Sequence, residues 1–361
     1  MGRMSESQNI RKATHAGSWY SASGKRLREE LQNNLDRVEP IIELDYQPPV
    51  QNAKAIIAPH AGYAYSGPAA AWAYAAIPTD RIKRIVLLGP SHHAYFEGIA
   101  LSPFASYDTP LGQIPLDTQA LEDLEATKLF HPIRPGTDED EHSLEMHLPY
   151  IRHIFGDRED LRLIPMIVGQ PGRDPKGMSK TLAKYWEDPE TFFIISTDFC
   201  HWGTRFRHTP YYPDAPLPLL PVPPVEGLPP SSSFSSSSSY PTSSPPSSNL
   251  TLQKQLSRIN SDTPIWRSIQ YMDHEGIDIL RKPAEQSTAE NWHRYLERTG
   301  NTICGRNPIF VLINLLTHVY ADTDSENRPI FSFVRYEQSE KVVDPRGSSV
   351  SYVSGILRVP Q

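Results

Sequence analysis

Three short apolar runs that each stop at a histidine constrain this chain more than any other feature. Residues 53–63 read AKAIIAPHAGY, residues 84–93 read RIVLLGPSHH, and residues 191–203 read TFFIISTDFCHWG. Each run is too short for a helix and lacks the alternation of a half-exposed strand, which suits strands covered on both faces. In an open α/β sheet the carboxyl ends of parallel strands form the ligand crevice. His60, His92 or His93, and His201 are therefore expected to meet although they lie far apart in sequence. The expected fold class is α/β, with a central mixed, mostly parallel sheet and helices on both faces.

The rest of the chain fits that frame. Leu27, Leu31, Leu35 and Val38 recur at helical spacing behind Ser21 or Ser23 as N-cap, and an Ala-rich helix is expected over 67–76 behind the first histidine loop. Asp117 caps a short helix to Ala126, and strands are expected over 161–168, 331–338 and 349–359. The acidic run 137–150, TDEDEHSLEMHLPY, reads either as a capped helix shortened by Pro149 or as a helix whose His142 and Glu145 share a face toward the crevice. Cys304 stands just before a helix expected to start with Asn307 as cap and Pro308 at its first position. A helix N-terminus favours the thiolate, the form that binds metal.

Composition matters at two points. The 35 prolines among 361 residues exceed ordinary usage and concentrate in one stretch. Residues 210–250 are mostly Pro and Ser with almost no charge, which cannot bury enough apolar surface to offset ordering entropy. This stretch is expected to be a disordered insertion, bounded at 210–261, that interrupts one domain made of residues 1–209 and 262–361. The second point is charge. A net charge of −7 with no Lys/Arg cluster excludes a general nucleic-acid surface, and no apolar run approaches the ~20 residues of a membrane span. The first twenty residues lack the apolar middle of a secretory signal. With only Cys200 and Cys304, a disulfide framework is excluded and a reducing compartment is expected, the cytoplasm with the nucleus as a second location.

Imidazole combined with thiolate or carboxylate is a common donor set for soft and borderline metals. His60, His92 and Cys304 form such a trio, with Asp198 and His201 within reach. His93 competes with His92, because neighbours in a loop point different ways. Cys200 carries the same ambiguity and reads as a small buried residue. No glycine belongs to a dinucleotide or P-loop fingerprint.

These residues also carry a resemblance. HAGSWY at 15–20, IIAPHAGYAYSG at 56–67, LGPSHH at 88–93, TDEDEHSLEMHLPY at 137–150, STDFCHWG at 196–203, NTICGRNPI at 301–309 and SSVSYVSG at 348–355 together resemble the Memo family. The resemblance implies a single α/β domain similar to class III extradiol dioxygenases, non-haem iron enzymes that open catechol rings. It implies a pocket for one copper or iron ion made by His60, His92 and Cys304, with Asp198 and His201 beside it. His201, oriented by Asp198, is expected to act there as proton donor or acceptor. Where those dioxygenases place a carboxylate ligand, this chain has Cys304, and a soft thiolate favours Cu(I) over Fe(II) and disfavours ring opening. The family is further associated with redox control and with signalling to the cytoskeleton. Two functions follow as expectations: a metal-dependent oxidoreductase acting on a small-molecule substrate, and an adaptor that uses the inherited pocket to bind a signalling protein, a peptide or a metabolite.

Overall fold

The computed structural model describes residues 9–216 and 250–360. Its main sheet has nine strands. From one edge they run His201–Trp202, Ser349–Arg358, Ala53–Ala58, Thr191–Ser196, Arg84–Pro90, Arg162–Val168, Ile99–Leu101 and Phe130–Pro132, and Ile330–Gln338 pairs with Ser349–Arg358 off that path. The central four, Ala53–Ala58, Thr191–Ser196, Arg84–Pro90 and Arg162–Val168, are mutually parallel. Antiparallel neighbours flank them, Ser349–Arg358 on one side and Ile99–Leu101 on the other.

Every residue of Ala53–Ala58 and of Thr191–Ser196 is buried, as continuous apolar runs in a sheet covered on both faces require. Helix Tyr63–Ala75 packs on Ala53–Ala58 and Ser349–Arg358, while helices Pro175–Glu187 and Arg306–Val319 pack on each other and on Thr191–Ser196. Helix Gly24–Leu35 starts behind Ser23, whose hydroxyl accepts from the Arg26 N–H, and buries Leu27 and Leu31 one turn apart. Asp117 caps Thr118–Ala126 as expected. A separate small sheet joins Ile10–Arg11, Ser106–Tyr107 and Ile114–Pro115.

Two boundaries differ from the sequence reading. Helix Arg306–Val319 begins earlier than expected, with Gly305 as its cap and no side-chain cap bond. The Asn307 amide instead donates to the Gly169 carbonyl, tying the helix to the end of the Arg162–Val168 strand. The ends of the expected insertion also belong to the fold. Tyr211 pairs with Gln253 through two backbone hydrogen bonds, and Tyr211, Tyr212, Trp202, Ile265 and Ile269 form a second apolar cluster with Leu250, Leu252 and Leu256 against it. The Pro/Ser bias masks these aromatic and leucine anchors, which lie inside the expected bounds 210–261 and pack on the fold. The expected disorder falls on residues 217–249, which lie outside the described residues.

Candidate metal centre

The parallel strands Ala53–Ala58, Arg84–Pro90 and Thr191–Ser196 end side by side. His60, His92 and Asp198 each stand two residues past one of those ends. Equal loop lengths from strands in register place them at one level of the crevice, and the His60 N–H donates to Asp198 Oδ1 at 2.9 Å. Cys304 arrives from the opposite side, ahead of helix Arg306–Val319. Gly305 permits that approach: a Cβ there would lie 2.2 Å from Thr197 Cβ and 2.4 Å from the Ser196 carbonyl oxygen. The outcome is that one donor atom each of His60, His92 and Cys304 lies within 4.8 Å of the others, with Cys304 Sγ 3.1 Å from His60 Nε2.

Both imidazoles are held by their other nitrogen. Ser196 Oγ donates its hydrogen to the Ser143 carbonyl at 2.7 Å, so it accepts from His60 Nδ1 at 2.6 Å and leaves Nε2 with its lone pair. His92 Nδ1 meets Glu141 Oε1 at 2.8 Å, and the His92 N–H donates to Glu141 Oε2 at 2.6 Å. A ligand histidine whose second nitrogen is fixed by a carboxylate or an oxygen acceptor is a recurrent feature of metal sites. Burial, reinforced by the neighbouring histidines, holds His60 neutral, well below the usual imidazole range. For His92 burial works the same way, but hydrogen bonding to Cys304 and Glu141 outweighs it and raises its pKa to about 10. His92 is the open side of the group, its side chain 27% exposed. His60 offers a free Nε2, and His92, whose proton a bound ion would displace, brings a second imidazole nitrogen beside the one thiol. Two imidazoles and a thiol suit a soft or borderline ion, so these residues fit a metal of that kind.

Glu141 is expected to set the quality of the site. Glu141→Gln removes the charged acceptor that orients His92, and a loss of about 10–100-fold in metal affinity follows. Titration of the purified variant with Cu(I) under a competing chelator checks it, and an unchanged affinity would show that Glu141 only braces the loop.

Asp198 and His201 are near the trio but outside it. Asp198 is buried, and desolvation, partly offset by the His60 N–H, pushes its carboxyl up to about 7; its own backbone N–H donates to Cys304 Sγ at 3.2 Å. The sequence reading has Asp198 orienting His201, whereas two carbonyls do so. His201 Nδ1 lies 2.9 Å from the Phe199 oxygen and 3.2 Å from that of Thr302, so Nδ1 carries the proton and Nε2 is an acceptor. Burial outweighs these bonds and keeps the ring below the usual imidazole pKa. His93 is exposed, and Cys200 is fully buried.

The acidic segment departs from both expectations. It breaks into helices Pro135–Asp140, His142–Glu145 and Leu148–Phe155. The break falls at Glu141, which is extended and caps the Ser143 N–H; that break is what turns its carboxylate toward His92. His142 does face the crevice, stacked on His92 with ring centroids 4.3 Å apart, and Trp19 covers it at 4.6 Å. Glu145 turns away, to Arg11 at 2.8 Å, Tyr20 at 2.7 Å and His15 at 2.9 Å. Beside His92 and Cys304 a pocket of about 300 Å³ opens toward solvent.

The family model described as Memo-like protein matches residues 11–356. This chain belongs to the Memo family. It is 37% identical to Protein MEMO1 of Danio rerio and 35% identical to Protein MEMO1 of Homo sapiens, each over 358 residues that cover 99% of this chain and all of the relative. It is 36% identical to the MEMO1 family protein MHO1 of Saccharomyces cerevisiae over 97% of this chain and 99% of that one. Among solved structures, an uncharacterized protein of Escherichia coli K12 aligns over 84% of this chain and 99% of its own length, with TM-score 0.41 and 12% identity. Among the described residues no helix is long and apolar enough to cross a membrane.

In this Memo protein, sequence reasoning passed over Glu141, Ser196 and Thr302. Glu141 sits in an acidic run whose bulk reads as helix-capping charge. Ser196 is the last polar residue of an apolar strand, and that position, level with the histidine loops, is the signal that could have marked it.

Proposed function

We propose that this chain is a metal-dependent redox protein that holds one copper or iron ion on His60, His92 and Cys304. The observation that supports this most is the pairing of Ser196 with His60 and of Glu141 with His92, each holding Nδ1 and leaving Nε2 turned toward a single thiol. When bound, the ion would supply one-electron chemistry and coordination positions open to oxygen or substrate. His201 accepts a proton at Nε2 while its Nδ1–H stays committed to carbonyls. Asp198, with a pKa of about 7, exchanges a proton near neutral pH. Cys304 in place of a carboxylate weights the reading toward Cu(I), and ring opening is not part of it. Protein loaded anaerobically with Cu(I) or Fe(II) and given ascorbate is expected to take up oxygen. His201→Ala should slow uptake on the order of 100-fold with metal content unchanged, and an equal rate would remove His201 from the chemistry.

A second reading has an observation of its own. Trp19 is 36% and Tyr95 85% exposed; Trp19 covers His142 and Tyr95 lines the pocket beside His92, while Tyr65, 62% exposed, follows the His60 loop on helix Tyr63–Ala75. Aromatic side chains left in water around a pocket suit a protein or peptide partner, which supports an adaptor role in signalling. Partner capture by metal-free protein, with no oxygen uptake under any loading, would favour this reading.

A further inference from the structure

The pocket beside the trio has a chemical character that the ligand set does not explain. His92 and Cys304 form its inner end, and Ser91, His93, Tyr95, Gln170, Arg306 and Asn307 contribute to its walls. In a chain of net charge −7, no carboxylate lines it. Among the described residues the Arg306 guanidinium has no hydrogen bond or ion pair, and neither does the Gln170 carboxamide. Arg306 is exposed, as are Arg28, Arg37, Arg134 and Arg207, whose guanidiniums also lack a bond; Arg306 differs from them in standing on the wall of the pocket that holds His92 and Cys304. An arginine and an amide on the walls of one pocket, both without a partner and with no carboxylate among the lining residues, offer donors to a carboxylate. The volume, about 300 Å³, is at the small end of the ~300–1,000 Å³ range of small-molecule sites.

We propose that this pocket binds a small organic acid, its carboxylate on Arg306 and Gln170 and its other end against His92 and Cys304. The proposal rests on the reading of His60, His92 and Cys304 as the reactive centre, and it names the substrate class of that centre as anionic. A bulky or cationic ligand would meet one guanidinium and no counter-charge.

The test uses alkylation of Cys304, since Cys200 is fully buried and an occupant of the pocket covers the partly exposed thiol of Cys304. Metal-free full-length protein is treated with iodoacetamide in the presence of benzoate or succinate, each beside its uncharged amide. The acids are expected to slow modification of Cys304 and the amides to do so far less. Arg306→Gln should raise the half-protecting acid concentration roughly tenfold or more, the scale of a lost charge-assisted bond. Equal protection by acid and amide, no protection by either, or unchanged protection in Arg306→Gln would overturn the proposal. Metal content of the same variant separates the two claims: Arg306 makes no hydrogen bond or ion pair with His60, His92 or Cys304, so Arg306→Gln that binds metal but loses acid protection supports the pocket assignment, while failure of the metal reading shows in His60→Ala.

Discussion

Arg11→Ala is expected to cost this protein about 3–5 kcal/mol of stability, the scale of breaking a buried ion pair by removing one partner. Arg11 is fully buried and lies 2.8 Å from Glu145 and 3.4 Å from Asp138. Its Nε and Nη2 atoms also donate to the carbonyls of Asp138, Glu139 and Glu141. Asp138 and Glu139 stand in the last turn of helix Pro135–Asp140 and Glu141 caps it, its N–H reaching only the Asp138 carbonyl, so the guanidinium supplies donors where a helix end runs short of them. The substitution therefore strands two buried carboxylates and a helix terminus together, and it loosens the segment that carries Glu141 and His142. The effect depends on pH in a defined direction. Burial opposes the charge of Glu145, but hydrogen bonds from His15 and Tyr20 and the Arg11 ion pair outweigh it and hold its pKa at about 2. A carboxylate depressed in the folded state contributes stability above its unfolded pKa of about 4.3 and loses it as pH falls toward 2. The advantage of wild type over Arg11→Ala in urea unfolding should thus be full at pH 6–7 and shrink below about pH 4. A difference under 1 kcal/mol at pH 7, or one that grows in acid, would contradict this account.

Gly305→Ala is the second large effect. The added methyl would sit 2.2 Å from Thr197 Cβ and 2.4 Å from the Ser196 oxygen. Both belong to the buried end of a central strand, so neither can give way as a flexible side chain would. The Gly305 N–H donates to Thr197 Oγ1 at 2.9 Å, and that bond fails if the chain backs off. The expected result is a loss of about 1–3 kcal/mol, the usual cost of overpacking, with Cys304 displaced from His60. Metal binding should fall more steeply than stability does. A variant that melts lower yet binds metal as wild type does would show that the site tolerates the shift.

The outline of the fold and of the trio was legible because both depend on local patterns. Continuous apolar runs marked the central strands, and their ends located His60, His92 and Asp198. Cys304 stood out as an unpaired thiol ahead of a helix. What escaped was set by long-range packing. Whether His92 or His93 turns inward depends on Glu141, 49 residues away, and the position of Glu141 depends on a break between two short helices that the acidic composition conceals. His201 takes its orientation from the carbonyl of Thr302, 101 residues distant, and a backbone acceptor leaves no mark in a side-chain pattern. Gly305 reads from sequence as an ordinary turn residue, since only the opposed strand end shows that a methyl has no room. Tyr211, Tyr212 and Leu250 lie at the margins of a Pro/Ser stretch whose average hides them.

The most direct measurement is the metal content of wild type and Cys304→Ser, each purified without added metal and without an affinity tag that scavenges it. The account predicts about one copper or iron per wild-type chain and its loss in Cys304→Ser, with both proteins equally folded by circular dichroism. Metal retained in full by Cys304→Ser, or a wild type that takes up neither Cu(I) nor Fe(II) under anaerobic conditions, would contradict it.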